Sequence, residues 1–255
     1  MTDPADGVRG PTAAPNARPA FYAARPGRWR DWWTLLHPPY TAWHLSYVVI
    51  GASLAPVVTL TPLLAALAAF FLAVGVAAHA LDELNGRPLR TQIPGVVLLA
   101  ATVAGLAGAA ALGIIGILHV GWPLIPFLVA GPLLVVAYNA ELFGGIVHTD
   151  AGFAVAWGAF PLLTSYVAQT GRISAGCVLA AGAAFGLSTA QRSLSTPARL
   201  LRRRTASVTG TIIRSDGQLV AIDAAGLLAP LERALRAMSW SVVLLAAGLA
   251  VARLT

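Results

Sequence analysis

Long apolar runs broken by short polar segments set the pattern of this chain. From Trp32 to Leu81 there is no Asp, Glu, Lys or Arg, and the run then ends in AHALDELNGRPLRT, residues 78–91. The apolar runs predict spans over residues 40–58, 62–81, 94–117, 122–140, 151–169, 173–190 and 238–253, each near the length a helix needs to cross hydrocarbon. Pro, Gly or charge marks the breaks, at 56–62, 86–94, 121–123, 144–152 and 171–173. Segment 223–238 holds Glu232, Arg233 and Arg236 and reads as a second surface helix rather than a span. Ahead of the first span, GRWRDWWTLL (27–36) places Trp29, Trp32, Trp33 and Leu36 on one helical face. That face predicts a short helix in the headgroup region, where indole prefers to lie. Residues 1–26, rich in Pro, Ala, Arg and Gly, read as a disordered tail without the features of a signal peptide. The expected fold is all-α: a polytopic membrane bundle of about seven spans over 37–255, preceded by an interfacial helix at 27–36 and the tail at 1–26.

Composition makes lipid the solvent for most of the chain, since 57% of residues are hydrophobic and 11% charged. All 17 basic residues are arginine, which reflects GC-rich coding and carries no chemistry by itself. The net charge of +7 does not imply nucleic acid, because the arginines are placed as topology signals. With a cytoplasmic N-terminus, every arginine except Arg172 and Arg253 falls on the cytoplasmic side, as expected for a bacterial cytoplasmic membrane protein. Cys177 is the only cysteine and lies in an apolar run, which excludes disulfides, iron–sulfur clusters and structural zinc. Small residues crowd the spans, as in AGLAGAAALG (104–113) and AGCVLAAGAAFG (175–186), so the helices are expected to pack closely.

Between Trp32 and Gln191 the acids are Asp82, Glu83, Glu141 and Asp150, and the predicted topology sends all four to one mouth of the bundle. Carboxylates at a membrane helix end are costly unless hydrated, paired or metal-bound. AYNAELFGGIVHTD (137–150) adds Tyr138, Asn139 and His148 on the same side, and His44 lies one turn inside the first span. The histidines and acids together include ligand types suited to Zn, Fe or Mn, but in no tight ligand spacing. His37 and His119 read as interfacial, and Tyr40 and Trp122 as aromatic-belt residues.

The order of segments resembles the UbiA-type intramembrane prenyltransferase superfamily over about residues 27 to 205. HPPYTAWHLSYVVIGASLAP (37–56) looks like that family's first span, and ALDELNGRPL stands where its second span ends in N-D-x-x-D-x-x-x-D followed by Arg-Pro. AYNAELFGG with FAVAWGAFPLL matches a later loop and span through Tyr138, Gly158 and Pro161. One aspartate of the first acidic motif survives, Asp82, with Glu83 beside it. The second acidic motif is replaced by AQRSLSTPARLLRRR (190–204), and spans eight and nine are absent.

The resemblance implies an enzyme that transfers or cyclises the prenyl group of an isoprenoid diphosphate. Mg²⁺ would neutralise the departing diphosphate while an apolar cavity shields the allylic cation from water. It places Asp82, Glu83 and Glu141 as catalytic groups, with Asp150 joining them as metal ligands. His44, His79, Asn85, Arg87, Tyr138, Asn139, Gln191, Arg192 and Arg199 would contact substrate, the arginines holding phosphate in place of the lost acids. For Arg202 to Arg204, topology and contact with anionic lipid remain the competing reading. A rival expectation keeps the bundle without metal-dependent chemistry, as a binder of a prenyl lipid or quinone or a partner of another membrane enzyme. A small transporter is disfavoured, because no charge lies within a span and no inverted repeat is apparent.

Overall fold

The computed structural model describes residues 19–25 and 27–255; the remainder of the expected tail lies outside the described residues. The chain is mostly helical, and among the described residues five helices are long and apolar enough to cross a membrane. These are α3 (Leu60–Leu84), α4 (Gly95–Val120), α5 (Trp122–Asn139), α6 (Asp150–Thr170) and α8 (Ala224–Leu254). Helix α1 (Arg28–Leu35) precedes them, with α2 (Pro38–Ser53) next and α7 (Ala175–Arg203) between α6 and α8.

Two of the seven expected spans thus fall outside the five. Helix α2 has only 16 residues. Helix α7 has 29, but Arg192, Arg199, Arg202 and Arg203 occupy its second half. Both still run alongside the others. Arg253 on α8 donates to the Ser53 carbonyl at 3.0 Å, and the side chain of Gln169 bonds the backbone of Thr59 on both its N–H and C=O. These contacts gather the 53–60 and 169–175 connections and the chain's last turn at one end. At the other, basic end, Asn85 reaches the Asn139 carbonyl and Arg192 reaches Asp150.

The interhelical core forms where small residues permit it. A Cβ on Gly51 of α2 would lie 2.2 Å from the Leu162 carbonyl oxygen of α6, and one on Gly105 of α4 would lie 2.6 Å from the Leu72 carbonyl of α3. Such backbone approach is how apolar helices associate in lipid. One core cluster joins Trp43, Tyr47, Leu162, Tyr166, Cys177, Ala184 and Val242, with the Trp43 indole donating to the Tyr47 hydroxyl at 2.6 Å. Another joins Val48, Phe70, Val74, Val135, Tyr138 and Trp157. Helices α3 and α6 each contain a π-helical stretch, Phe71–Ala78 and Val155–Ala159. Such widened turns recur next to functional sites. Large apolar side chains such as Val96, Val103 and Leu118 on α4 remain exposed, as a helix facing lipid requires.

Two local expectations are corrected and a third gains a tie to the bundle. Segment 223–238 is not a separate surface helix but the first half of α8, capped where Asp223 accepts from the Gly226 N–H at 2.7 Å. Its charge is absorbed internally, since Glu232 is buried and pairs with Arg202 of α7 and, at 3.6 Å, with Arg236. Glu232, Leu235, Ser239, Val242 and Ala246 then form one buried seam at alternating spacings of three and four. The polar loop expected at 191–216 is largely α7, followed by a hairpin of β1 (Gly210–Ile213) and β2 (Leu219–Ile222), with Ile212 opposite Val220. Helix α1 has the exposed Trp29 and Trp33 expected of it, but it is also tied to the bundle. Buried Asp31 accepts from the Gln92 N–H at 2.8 Å.

Candidate functional site at the basic end

Four acids were expected to share this mouth, and they do not gather. Glu83 is fully buried and turned into its own loop. Its carboxylate accepts from the Leu89 N–H at 2.9 Å, the Thr91 N–H at 2.8 Å and the Thr91 hydroxyl at 2.9 Å. Arg87 closes the same loop by donating to the Ile93 carbonyl at 2.6 Å. Arg87 and Arg90 both sit at positive φ, a costly backbone state that these internal bonds hold in place. Glu83 and Arg87 are therefore both engaged in holding this loop. Glu141 is exposed at the left-handed start of the 141–145 turn. Asp150 opens α6 and is held by Arg192 at 2.8 Å. Among the described residues no three His, Cys, Asp or Glu side chains converge to hold a metal. With Glu83 taken up by its loop and Asp150 by Arg192, Asp82 and Glu141 are the two of the four carboxylates not engaged among the described residues, fewer oxygen ligands than Mg²⁺ takes.

The mouth is instead built from aromatic, imidazole and guanidinium groups. Arg192, Arg199 and Arg203 stand at i, i+7 and i+11 on α7, one face of the helix. Asp82, at the end of α3, has no ion pair or side-chain hydrogen bond among the described residues, and lies within electrostatic reach of Arg199, Arg203 and His148. Burial, followed by the like charges of Arg192 and Arg203, lowers the pKa of Arg199. Its hydrogen-bond partner is the Thr196 hydroxyl of its own helix, at 3.3 Å. Arg192 lies over the Phe153 ring at 5.4 Å.

Residues 19–25 cover this mouth. Arg203 donates to the Pro19 carbonyl at 3.0 Å, Arg236 sits over the Phe21 ring, and Tyr22 packs edge-on against Tyr40. The Tyr22 hydroxyl is 2.6 Å from His37 Nδ1. Burial raises the Tyr22 pKa, so the phenol keeps its proton. Burial, then His79 and the arginines Arg203 and Arg199, pushes His37 well below the usual imidazole range. A neutral His37 that accepts from the phenol at Nδ1 carries its proton on Nε2, and that atom is buried without a partner. The His37 ring stacks on His79 with centroids 4.4 Å apart. Such stacking suits neutral rings.

His79, His44 and His148 each direct Nδ1 to a backbone carbonyl, of Gly75, Trp157 and Tyr138 respectively. A carbonyl can only accept, so Nδ1 carries the proton in all three. Tyr138 stacks on His148, and its buried hydroxyl has no partner; Gln191 Oε1 is likewise buried and unpaired. Asn139 donates to the Val135 carbonyl of its own helix, and Asn85 donates to the Asn139 carbonyl.

Behind the mouth lies an apolar cavity of about 480 Å³ between α3, α4, α5 and α6. Ala69, Ala73, Ala109, Ala110, Gly113 and Gly131 leave its space unfilled. It runs from Thr61 and His119 at the far end to Val74, Val135 and Trp157, and Trp157 meets the Tyr138 ring at 5.7 Å. Trp157 thus lines the apolar chamber and touches Tyr138, which faces the cationic mouth.

Of the residues anticipated from sequence, the structure assembles His44, His79, Asp82, Tyr138, Arg192 and Arg199, with Gln191 and Asp150 beside them. His37 and Tyr40, read as interfacial and aromatic-belt residues, belong to the mouth, as do Tyr22 and Arg203. Arg203 shares the helical face of Arg192 and Arg199, a spacing legible in the sequence. Nothing in the sequence signalled Tyr22. No protein-family model matches this chain, no characterised protein matches it, and no solved structure matches its fold.

Proposed function

We propose that this is a UbiA-like integral membrane protein of seven helices, N-terminus in the cytoplasm, that binds an isoprenoid diphosphate. The prenyl chain lies in the apolar cavity and the polar head at the basic mouth. The observation that carries this reading is the junction at Tyr138 and Trp157, where an apolar chamber between the helices adjoins the arginine cluster and buried polar groups without partners among the described residues. An amphiphile with a long apolar chain and an anionic head matches both halves. Among the described residues Arg87, Arg90, Arg192, Arg199, Arg202 and Arg203 stand at this end and Arg172 and Arg253 at the other, which supports the orientation.

The test is to fill the chamber. Ala110→Phe adds a ring to the cavity wall and is expected to weaken binding of geranylgeranyl diphosphate to the detergent-purified protein by about tenfold or more. Binding indifferent to Ala110→Phe and to a similar change at Ala73 would remove the cavity from the account.

A second reading, transfer or cyclisation of the bound prenyl group, is favoured by Asp82. It is a carboxylate left unpaired beside the arginines, at the helix end where the resembled family has its acidic motif. Release of diphosphate from geranylgeranyl diphosphate that disappears in Asp82→Asn supports it; binding without turnover in the wild type removes it.

A further inference from the structure

Arg199 is the residue the fold leaves least explained. It is largely desolvated, it has like-charged neighbours on its own helix, and no ion pair neutralises it among the described residues. A desolvated guanidinium is retained at a cost unless an anion completes it. The charges facing it do not. Asp150 is committed to Arg192, and Glu232 of α8 to Arg202 and Arg236. Asp82 of α3 is one carboxylate set against both Arg199 and Arg203.

Two further groups lack partners. The Tyr138 hydroxyl and His37 Nε2 are buried with nothing to donate to, and both belong to the cluster around Arg199. Guanidinium, phenol and imidazole N–H are all donors. Among the described residues no three His, Cys, Asp or Glu side chains gather there as ligands of a divalent cation, and Asp82 and Gln191 Oε1 are the acceptors beside these donors.

Resting on the proposed function, we infer that the mouth is a metal-independent cradle for a phosphate group, with Arg199 and Arg203 supplying charge and Tyr138 O–H and His37 Nε2–H completing the donor set. The ligand class is an isoprenoid mono- or diphosphate bound as the free anion. Space beside Arg199 under Pro19–Tyr22 amounts to about 20 Å³, too little for a phosphate. The Pro19 carbonyl also occupies Arg203. The phosphate therefore takes the place of residues 19–25, exchanging a neutral carbonyl acceptor for a charged one, a stronger partner for arginine.

The experiment compares geranylgeranyl diphosphate, geranylgeraniol, inorganic pyrophosphate and phosphatidic acid on the full-length protein in detergent, with EDTA or with Mg²⁺. The cradle predicts that diphosphate affinity in EDTA stays within about twofold of that in Mg²⁺ and exceeds that of the alcohol by about tenfold or more. Arg199→Gln erases that preference, and Arg199→Lys restores part of it. Tyr138→Phe weakens diphosphate binding severalfold without lowering the unfolding temperature, because the hydroxyl it removes has no partner in the protein. Should Arg199→Gln fail to fold, Tyr138→Phe decides alone.

Diphosphate binding abolished by EDTA, or no weaker in Tyr138→Phe, overturns the cradle. Equal binding of alcohol and diphosphate overturns the cradle and leaves the cavity reading standing. Binding of neither overturns the proposed function itself. Competition by inorganic pyrophosphate or phosphatidic acid as strong as that of the prenyl diphosphate supports the cradle and overturns the selection of an isoprenoid chain.

Discussion

Substituting Glu83 separates a structural carboxylate from a catalytic one. Glu83→Ala removes the buried acceptor of two backbone N–H groups and one hydroxyl. Each buried N–H left unpaired costs about 1–3 kcal/mol, so the loss centres on about 4 kcal/mol. For a chain of this size that is a fall in unfolding temperature of about 8–16 °C. Glu83→Gln keeps an acceptor for Thr91 but presents an NH₂ group to the Leu89 N–H, so its fall is expected to be smaller. Tryptophan fluorescence during heating in detergent, followed beside circular dichroism, measures both. Unfolding temperatures within about 1 °C of wild type for both variants would refute the assignment and return Glu83 to the candidates for catalysis.

Gly51→Ala forces a Cβ against the Leu162 carbonyl and is expected to destabilise the protein by about 1–3 kcal/mol, whereas Gly186→Ala, which meets nothing within 4 Å, is expected to be silent in the same thermal assay. His37 gives a pH dependence of definite sign. Its folded pKa lies below its unfolded value near 6.5, so below that pH the unfolded state binds the extra proton and stability falls. Unfolding temperature is accordingly expected to drop between pH 7 and pH 5, and less steeply in His37→Gln. An unaltered profile would show that Tyr22, His79, Arg199 and Arg203 do not hold this ring neutral. Hydrogen exchange at residues 19–25 is expected to quicken when geranylgeranyl diphosphate binds; slowing would mean that the segment closes over the ligand instead of yielding to it.

Periodicity and hydropathy made the apolar helices legible, because lipid leaves a chain few ways to satisfy its backbone. Much of what they missed has one physical origin, that charge reads as solvent-facing wherever it occurs. Glu232 and Arg236 were read as facing headgroups, yet the spacing from Glu232 through Leu235 and Ser239 to Ala246 continues a single buried seam. Thr211 to Ile213 and Leu219 to Ile222, flanking Asp216-Gly217, carry a hairpin signal that counting arginines obscured. Of the candidate site, the arginine face of α7 could be read from spacing alone. The fate of Glu83 could not, since it depends on where Leu89 and Thr91 return after a turn built on positive φ at Gly86, Arg87 and Arg90. Tyr22 was lost for a different reason, because a Pro- and Ala-rich segment has no periodicity and is placed only by what it packs against.

A structure of the protein with geranylgeranyl diphosphate bound tests the central claim most directly. The account predicts phosphate oxygens against Arg199, Arg203 and Tyr138, residues 19–25 displaced, and the prenyl chain passing Trp157 toward Gly113 and Gly131. Phosphate found beside Arg172 and Arg253, or a chain lying outside α3, α4, α5 and α6, would contradict it.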